Sequence, residues 1–226
     1  PEQIQELFEN TFYTNDFGTV GIVTAESGTP PEAVVNESTR IVEATPYRTE
    51  GKYTDARRPD SVQFSQNIED DLKRRDFTIN AMAYNPATGQ VMDLFGGIKD
   101  TSAGVLRAVG EPDERFAEDA LRIMRAVRIS AELGFTIEPN TKAAMKHCAA
   151  QLAKISKERI RDEFTRILNS QRPKDGLMVA QTIGILKYIT PELEAGMGIE
   201  QNQAHSFDVF EHNLRALQHA TDENWS

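Results

Sequence analysis

The segment GEPDERFAEDALRIMRAVRISAELGF, residues 110–135, marks the point where the hydrophobic pattern changes from that of strands to that of helices. From Pro112 onward, apolar residues recur three and four positions apart, at Phe116, Ala120, Leu121, Met124 and Val127. This spacing places them on one helix face, and Asp113 is of a residue type that caps helix starts. We therefore predict one helix that begins near Pro112 and carries EDALRIMRAVR, residues 118–128.

The residues before this helix have the character of a sheet. Short runs rich in β-branched and aromatic residues occur at 17–23, 40–47, 61–64, 90–97 and 104–110,. Residues 26–39 have the Gly, Pro and Ser content of a hairpin loop,. Further helices are predicted at 141–153, at 157–168 with Ser156 as N-cap, at 174–187 and from about Phe207. This order predicts an α+β head followed by an all-helical region.

The composition is that of a globular protein of one or two domains, with 226 residues of which 39% are hydrophobic and 27% charged,. No apolar run approaches the roughly 18 residues that cross a bilayer, and the N-terminal residues lack the pattern of a secretory signal. We therefore expect a cytoplasmic protein without a membrane partner. Cys148 is the single cysteine, and its helical, apolar surroundings predict a core thiol rather than a nucleophile,.

The charge of the chain is unevenly distributed. The net charge of −10 argues against a nucleic-acid partner, since phosphate contacts require Lys and Arg,. Residues 105–175, however, carry 14 Lys and Arg against 11 Asp and Glu. A basic segment on an acidic protein indicates a confined phosphate-binding surface.

The arginine-bearing helix has a chemistry suited to nucleotide bases. Residues three apart on a helix are neighbours, so Asp119 is predicted to lie beside Arg122, with Arg125 and Arg128 continuing the row,. A carboxylate beside a guanidinium matches the amino group and adjacent acceptor of C or A, whereas U and G would present a carbonyl to the carboxylate. The remaining arginines would be free to hold phosphate. The alternative is a solvated helix with surface ion pairs, and spacing alone favours neither.

Three segments together resemble a known family: RRDFTINAMAYN at 74–85, DLFGG at 93–97 and the segment at 110–135. They are similar to the bacterial class II tRNA nucleotidyltransferases, the CCA-adding enzymes, and to their poly(A) polymerase relatives. The resemblance extends from about Phe17 to about Leu168. It implies a polymerase-β-like nucleotidyltransferase head followed by a helical neck and body. It also implies Mg²⁺-dependent addition of CMP and AMP, from CTP and ATP, to the 3′ end of tRNA.

The resemblance also implies roles for individual residues. Arg75 would contact the nucleotide, Asp119 and Arg122 would recognise the base edge, and Arg125 and Arg128 would complete the pocket.

The family's catalytic motifs, GGxxRD and DxD, are not found in the 226 residues. We therefore expect the Mg²⁺ ligands to lie outside this chain, no catalytic residue to lie within it, and the chain alone to transfer no nucleotide. PEQIQELF, residues 1–8, resembles the family's helix that follows the DxD strand, which implies a protein with earlier residues.

Residues 201–220 resemble the first helix of an HD phosphohydrolase domain, in which His212 would be the first metal ligand. The His-Asp doublet of such domains is missing, so amphipathic packing of His205, His212 and His219 is the preferred interpretation,.

The resulting hypothesis divides the chain into a head at 1–110, a nucleotide- and RNA-binding neck and body at 111–190, and the start of an HD-like domain at 191–226. Four alternatives remain: a poly(A) polymerase, an enzyme that adds only A or only CC, a non-catalytic RNA-binding protein of the same fold, and an HD hydrolase with an accessory domain.

Overall fold

The computed structural model describes residues 1–14, 18–24, 41–51, 62–200 and 206–225. The described residues divide into two compact units, one comprising the described residues up to 71 and the other those from 72 onward. The domain boundaries predicted after residues 110 and 190 remain predictions, because compactness does not locate functional domains. No helix in the described ranges is long and apolar enough to cross a bilayer.

The first unit is built from a short helix and two small antiparallel sheets. Helix α1 (Glu2–Leu7) precedes a three-stranded sheet of β1 (Thr11–Tyr13), β2 (Val20–Val23) and β3 (Ile41–Ala44), in which β2 is central. Strands β4 (Arg48–Glu50) and β5 (Val62–Phe64) form a second pair. The strands predicted at 17–23, 40–47 and 61–64 are therefore confirmed. The predicted loop at 26–39 lies outside the described residues.

The second unit begins with the C-terminal part of α2 (Ile68–Lys73), a 3₁₀ turn (Thr78–Asn80) and the hairpin of β6 (Met82–Asn85) and β7 (Gln90–Asp93). Helix α3 (Gly97–Ala103) follows, and β8 (Val105–Leu106) pairs in parallel with β9 (Thr136–Ile137). The segments 90–97 and 104–110, predicted as short strands or extended connectors, contain the short strands β7 and β8. Strand β9 is the one described strand within the helical region.

The rest of the second unit is helical. Its helices are α4 (Pro112–Glu118), α5 (Leu121–Leu133), α6 (Pro139–Cys148), α7 (Lys157–Leu168), α8 (Pro173–Thr182), α9 (Leu186–Ile189), α10 (Pro191–Glu194) and α11 (Val209–Asp222). The helix predicted at 157–168 is confirmed with its N-cap residue, and the one predicted at 141–153 continues after Cys148 as a 3₁₀ helix. The helix predicted at 174–187 ends earlier, since Gly184 adopts a left-handed φ of 73° between α8 and α9,.

Helix α5 lies at the centre of the core and packs on α7 and α8. The approach of α8 depends on Gly176, where a Cβ would lie 3.0 Å from side-chain atoms of Ala131 and Ile167. Phe77 is fully buried in the same core and forms an antiparallel bridge with Ala108. This anchor fixes the RRDFTIN segment, residues 74–80, in the unit that contains α5.

Candidate nucleotide-binding pocket

A pocket of about 750 Å³ lies between the RRDFTIN segment, α5 and α7. Its volume falls within the range of roughly 300–1,000 Å³ typical of small-molecule sites. Three carboxylates line it, Asp76, Asp119 and Glu132. Six arginines also line it: Arg74, Arg75, Arg122, Arg125, Arg128 and Arg159. The excess of positive charge favours an anionic ligand.

Asp119 lies between two helices and not within one. Helix α4 ends at Glu118, Asp119 is extended with φ −143° and ψ 104°, and α5 begins at Leu121. The Asp119 Oδ1 accepts a hydrogen bond from the backbone N–H of Leu121 at 3.0 Å. Asp favours such a position because its carboxylate satisfies a first-turn donor that the helix itself leaves unpaired. The prediction of one continuous helix through Asp119 is therefore wrong, whereas Asp119 and Arg122 line the same pocket.

The start of α4 also differs from the prediction. Glu111 is the N-cap and Pro112 occupies the first turn, so Asp113 lies inside the helix and is not its cap. Proline suits this position because its missing N–H would have no intrahelical partner there.

Arg159, on α7, holds the other oxygen of Asp119. Its Nη2 donates to Asp119 Oδ2 at 2.7 Å, and both side chains are largely buried. The Asp119 carboxylate is thus fixed by one donor on each oxygen, and each oxygen keeps a further lone pair for a ligand. Arg159 Nη1 is buried and has no hydrogen-bond partner within the described part of the chain. The sequence analysis did not identify Arg159.

Arg122 reaches back toward α4. Its Nη1 donates to Glu118 Oε2 at 2.6 Å and to the backbone oxygen of Arg115 at 3.2 Å, and its Nη2 donates to the backbone oxygen of Arg74 at 3.3 Å. The Arg122 side chain is 11% exposed. Arg122 therefore joins the RRDFTIN segment to α4 and α5, and it lines the same pocket as Asp119.

Arg125 forms an ion pair with Asp76, with its Nε 2.8 Å and its Nη2 2.6 Å from Asp76 Oδ2. Burial by itself would raise the pKa of Asp76. The charge of Arg125 and hydrogen bonds from Arg125, Asn80 and the Phe77 N–H outweigh burial, so the pKa of Asp76 lies below its usual value,. The same pair raises the pKa of Arg125 although burial opposes it.

Arg128 is engaged with two carboxylates. Its Nε donates to Glu163 of α7 at 2.6 Å and its Nη1 to Glu132 at 2.7 Å, and its side chain is 7% exposed. Arg125 and Arg128 are thus already paired with carboxylates in the folded chain, and their predicted contact with phosphate stays a prediction. A buried guanidinium requires a carboxylate partner, and the folded chain supplies one to each.

Arg75 is the exposed arginine of the RRDFTIN segment. Its Nη1 donates to the backbone oxygen of Asn80 at 3.2 Å. Its neighbour Arg74 is half-buried, and both line the pocket. All five residues predicted to bind nucleotide thus line one pocket, and their roles there remain predictions.

The carboxylates of this pocket do not fit a magnesium site. Asp76 and Asp119 are each paired with an arginine, and the arginines around them would repel a divalent cation,. The expectation that the Mg²⁺ ligands lie outside this chain stays a prediction.

The remaining candidates lie away from the pocket. Cys148 is 5% exposed within the core, which confirms the predicted core thiol, and burial together with the Asp113 carboxylate raises its pKa,. Helix α11 packs through buried Phe210 and Leu214.

The histidines of α11 are not among its buried residues. His212 and His219 are exposed, and the His219 ring makes an edge-on contact with Trp225, with ring centroids 5.5 Å apart. The interpretation that these histidines take part in amphipathic packing stays a prediction. His205 lies outside the described residues, and a metal-binding role for His212 stays a prediction.

Two family models match the chain. The Poly A polymerase head domain matches residues 1–107, and the probable RNA and SrmB-binding site of polymerase A matches residues 134–197. A CCA-adding enzyme of Leuconostoc mesenteroides is 44% identical over 215 residues, which are 92% of this chain and 50% of that protein. The chain spans about half the length of the curated relatives it matches.

Solved structures share the fold. The Bacillus stearothermophilus CCA-adding enzyme in complex with CTP has a TM-score of 0.70 and 36% identity, covering 84% of this chain and 42% of that one. A tRNA nucleotidyltransferase complexed with a primer tRNA and an incoming ATP analogue has a TM-score of 0.66 and 26% identity, covering 100% of this chain and 59% of that one. The predicted nucleotidyltransferase head and helical region are thereby confirmed, and the chain belongs to the poly(A) polymerase family of nucleotidyltransferases that includes the CCA-adding enzymes.

Proposed function

We propose that the pocket binds CTP and ATP and that the whole protein adds CMP and AMP to the 3′ end of tRNA, with release of pyrophosphate. The observation that carries this proposal is the Asp119 carboxylate, held by the Leu121 N–H and by Arg159 in a pocket rich in arginine. The relatives support it, since the solved structures include one with CTP and one with a primer tRNA and an ATP analogue.

Base recognition follows from the fixed carboxylate. Asp119 offers only acceptors, so it matches the N4 amino group of cytosine or the N6 amino group of adenine. Uracil and guanine present a carbonyl oxygen at the corresponding place and would be repelled. Arg122 lines the same pocket and supplies N–H donors for the neighbouring ring acceptor,. The pair thus favours C and A without a nucleic-acid template.

Phosphate recognition falls to the more exposed arginines. Arg122 is assigned to the base, and Arg128 donates to two carboxylates inside the protein. Arg75 is exposed at the pocket and Arg125 is 36% exposed, so a triphosphate can approach their guanidinium groups. Guanidinium groups bind phosphate through paired hydrogen bonds and carry a permanent charge.

Equilibrium binding tests the proposal on this chain. Calorimetric titration with CTP, ATP, UTP and GTP should give tighter binding of CTP and ATP by about 5- to 150-fold, since a base contact contributes about 1–3 kcal/mol. Asp119→Ala should remove most of this preference. Asp162→Ala is the matched control, because Asp162 is an exposed α7 carboxylate paired with Arg161. Equal affinities for the four nucleotides, or an unchanged preference in Asp119→Ala, would contradict base recognition by Asp119.

The alternatives predict different results. A poly(A) polymerase or A-adding enzyme would prefer ATP over CTP, and a CC-adding enzyme the reverse. A non-catalytic RNA-binding protein would bind tRNA without selecting among free nucleotides. The family model of an RNA-binding site over residues 134–197 is compatible with each.

The same proposal includes the finer assignments: a head at 1–110, a neck and body at 111–190, an HD-like domain from 191, and a cytoplasmic location. A metal-dependent phosphatase assay on the whole protein tests the HD assignment, with His212→Ala as the variant expected to lose that activity.

A further inference from the structure

Three potential metal ligands converge where α4 meets α6, away from the nucleotide-binding pocket. Asp113 lies in the first turn of α4, and His147 and Cys148 are the last two residues of α6. The two helices pack on each other. One ligand atom of each side chain lies within 4.8 Å of the other two.

The distances between these atoms approach those around a bound ion. His147 Nδ1 lies 2.7 Å from Asp113 Oδ1, and Cys148 Sγ lies 3.9 Å from the same oxygen. Zinc binds N, O and S ligands at about 2.0–2.3 Å, so a tetrahedral site separates its ligand atoms by about 3.3–3.8 Å. The observed distances bracket this range, and rotation of two exposed side chains would reach it.

The donor set selects the class of metal. A thiolate, an imidazole and a carboxylate together suit zinc, and they are poor ligands for Mg²⁺ or Ca²⁺, which prefer oxygen. Cys148 would bind from the buried side, since it is 5% exposed, whereas His147 and Asp113 would bind from the solvent side. Their outer face borders a cleft of about 580 Å³, which leaves room for water as a fourth ligand.

We propose that Asp113, His147 and Cys148 bind one zinc ion that links the first turn of α4 to the C-terminal end of α6. The ion replaces the hydrogen bond between His147 and Asp113, a contact of two exposed groups and therefore a weak one,. Because α4 leads directly to Asp119, the ion also restrains the helix that precedes the nucleotide-binding pocket.

Cobalt substitution tests the site on the intact, tag-free chain after treatment with EDTA. Titration with Co²⁺ should give a thiolate-to-cobalt charge-transfer band that saturates at one ion per chain, and added Zn²⁺ should abolish the band. Cys148→Ser should remove the band. His147→Gln and Asp113→Asn should weaken Co²⁺ binding at least about tenfold, which is the smallest loss expected even for an outer partner of a metal ligand.

His219→Gln is the matched control, because His219 is an exposed histidine on α11. The Co²⁺ affinity of this variant should equal that of the unmodified chain. Zinc at one fixed concentration should also raise the Tm of the unmodified chain by more than it raises the Tm of His147→Gln. His147 and Asp113 are exposed, so their variants keep the test valid even if Cys148→Ser fails to fold. Absence of the charge-transfer band, or a band with unchanged affinity in His147→Gln, would overturn the proposal.

Discussion

Replacing Arg159 should separate base recognition from general attraction of the triphosphate. Arg159→Met removes the donor to Asp119 Oδ2 and leaves the carboxylate held only by the Leu121 N–H. A hydrogen bond to a charged group contributes about 1.5–3 kcal/mol. Arg159 is 27% exposed, so we discount this to about 1–2 kcal/mol,. CTP and ATP should therefore bind about 5- to 30-fold more weakly.

Loss of positive charge would by itself weaken the binding of all four nucleotides. Arg159→Lys controls for this effect, because it keeps the charge. Lysine keeps the charge but does not present the planar pair of donors that fixes a carboxylate. We expect Arg159→Lys to retain the affinity for UTP and GTP while losing part of the preference for CTP and ATP. Arg161→Met is the control, since Arg161 is exposed on the same helix. If calorimetry finds that both Arg159 variants weaken all four nucleotides by one common factor, Arg159 contacts phosphate and does not position Asp119.

Three further predictions concern single contacts. Arg75→Ala should weaken CTP and ATP by similar factors in calorimetric titrations, because a phosphate contact does not distinguish bases, and Arg74→Ala should have the smaller effect,. Asp76→Asn should lower the free energy of unfolding at pH 7 by about 1–2 kcal/mol, as measured by urea denaturation. Because the pKa of Asp76 is lowered in the folded chain, the full stability difference between the two proteins should be present above about pH 5,. It should disappear as the pH falls from about 4 through the folded pKa. A difference that stays constant with pH would refute the assignment. Glu163→Ala should lower the free energy of unfolding by about 3 kcal/mol,. This is the low end for a broken buried pair, because Glu132 still contacts Arg128. A loss below about 1 kcal/mol would mean that the pair is dispensable.

The sequence predicted two of the three segments that form the pocket, RRDFTIN and the arginine-bearing helix, but not α7 and not how the side chains pair. The apolar pattern continues across Asp119 because both helices bury apolar residues next to the break. Phe116 is buried before it and Leu121 after it. A break that preserves the phase of the apolar pattern is invisible to periodicity. The available signal was Asp119 itself, because Asp disfavours helix interiors and favours positions where its carboxylate caps a backbone N–H.

Arg159 and Glu163 were missed for a different reason. Their partners, Asp119 and Arg128, lie 40 and 35 positions away in sequence, and no local rule relates residues so separated. One local sign existed. Glu163 occupies the same buried face of α7 as Ile160 and Ile167, and a charged residue on an apolar face requires a buried partner of opposite charge,. The row of arginines on α5 could supply that partner.

The ion pairs also lower the entropy that the pocket loses when a ligand binds. An unpaired arginine loses much side-chain freedom when a ligand orders it, and this loss reduces affinity. Around this pocket, Arg122, Arg125 and Arg128 are held in place before any ligand arrives, by Glu118, Asp76 and Glu163 respectively. The N–H groups that remain are therefore oriented by folding and not by the nucleotide. Replacing one of these carboxylates should therefore weaken ligand binding even though the carboxylate itself does not contact the ligand.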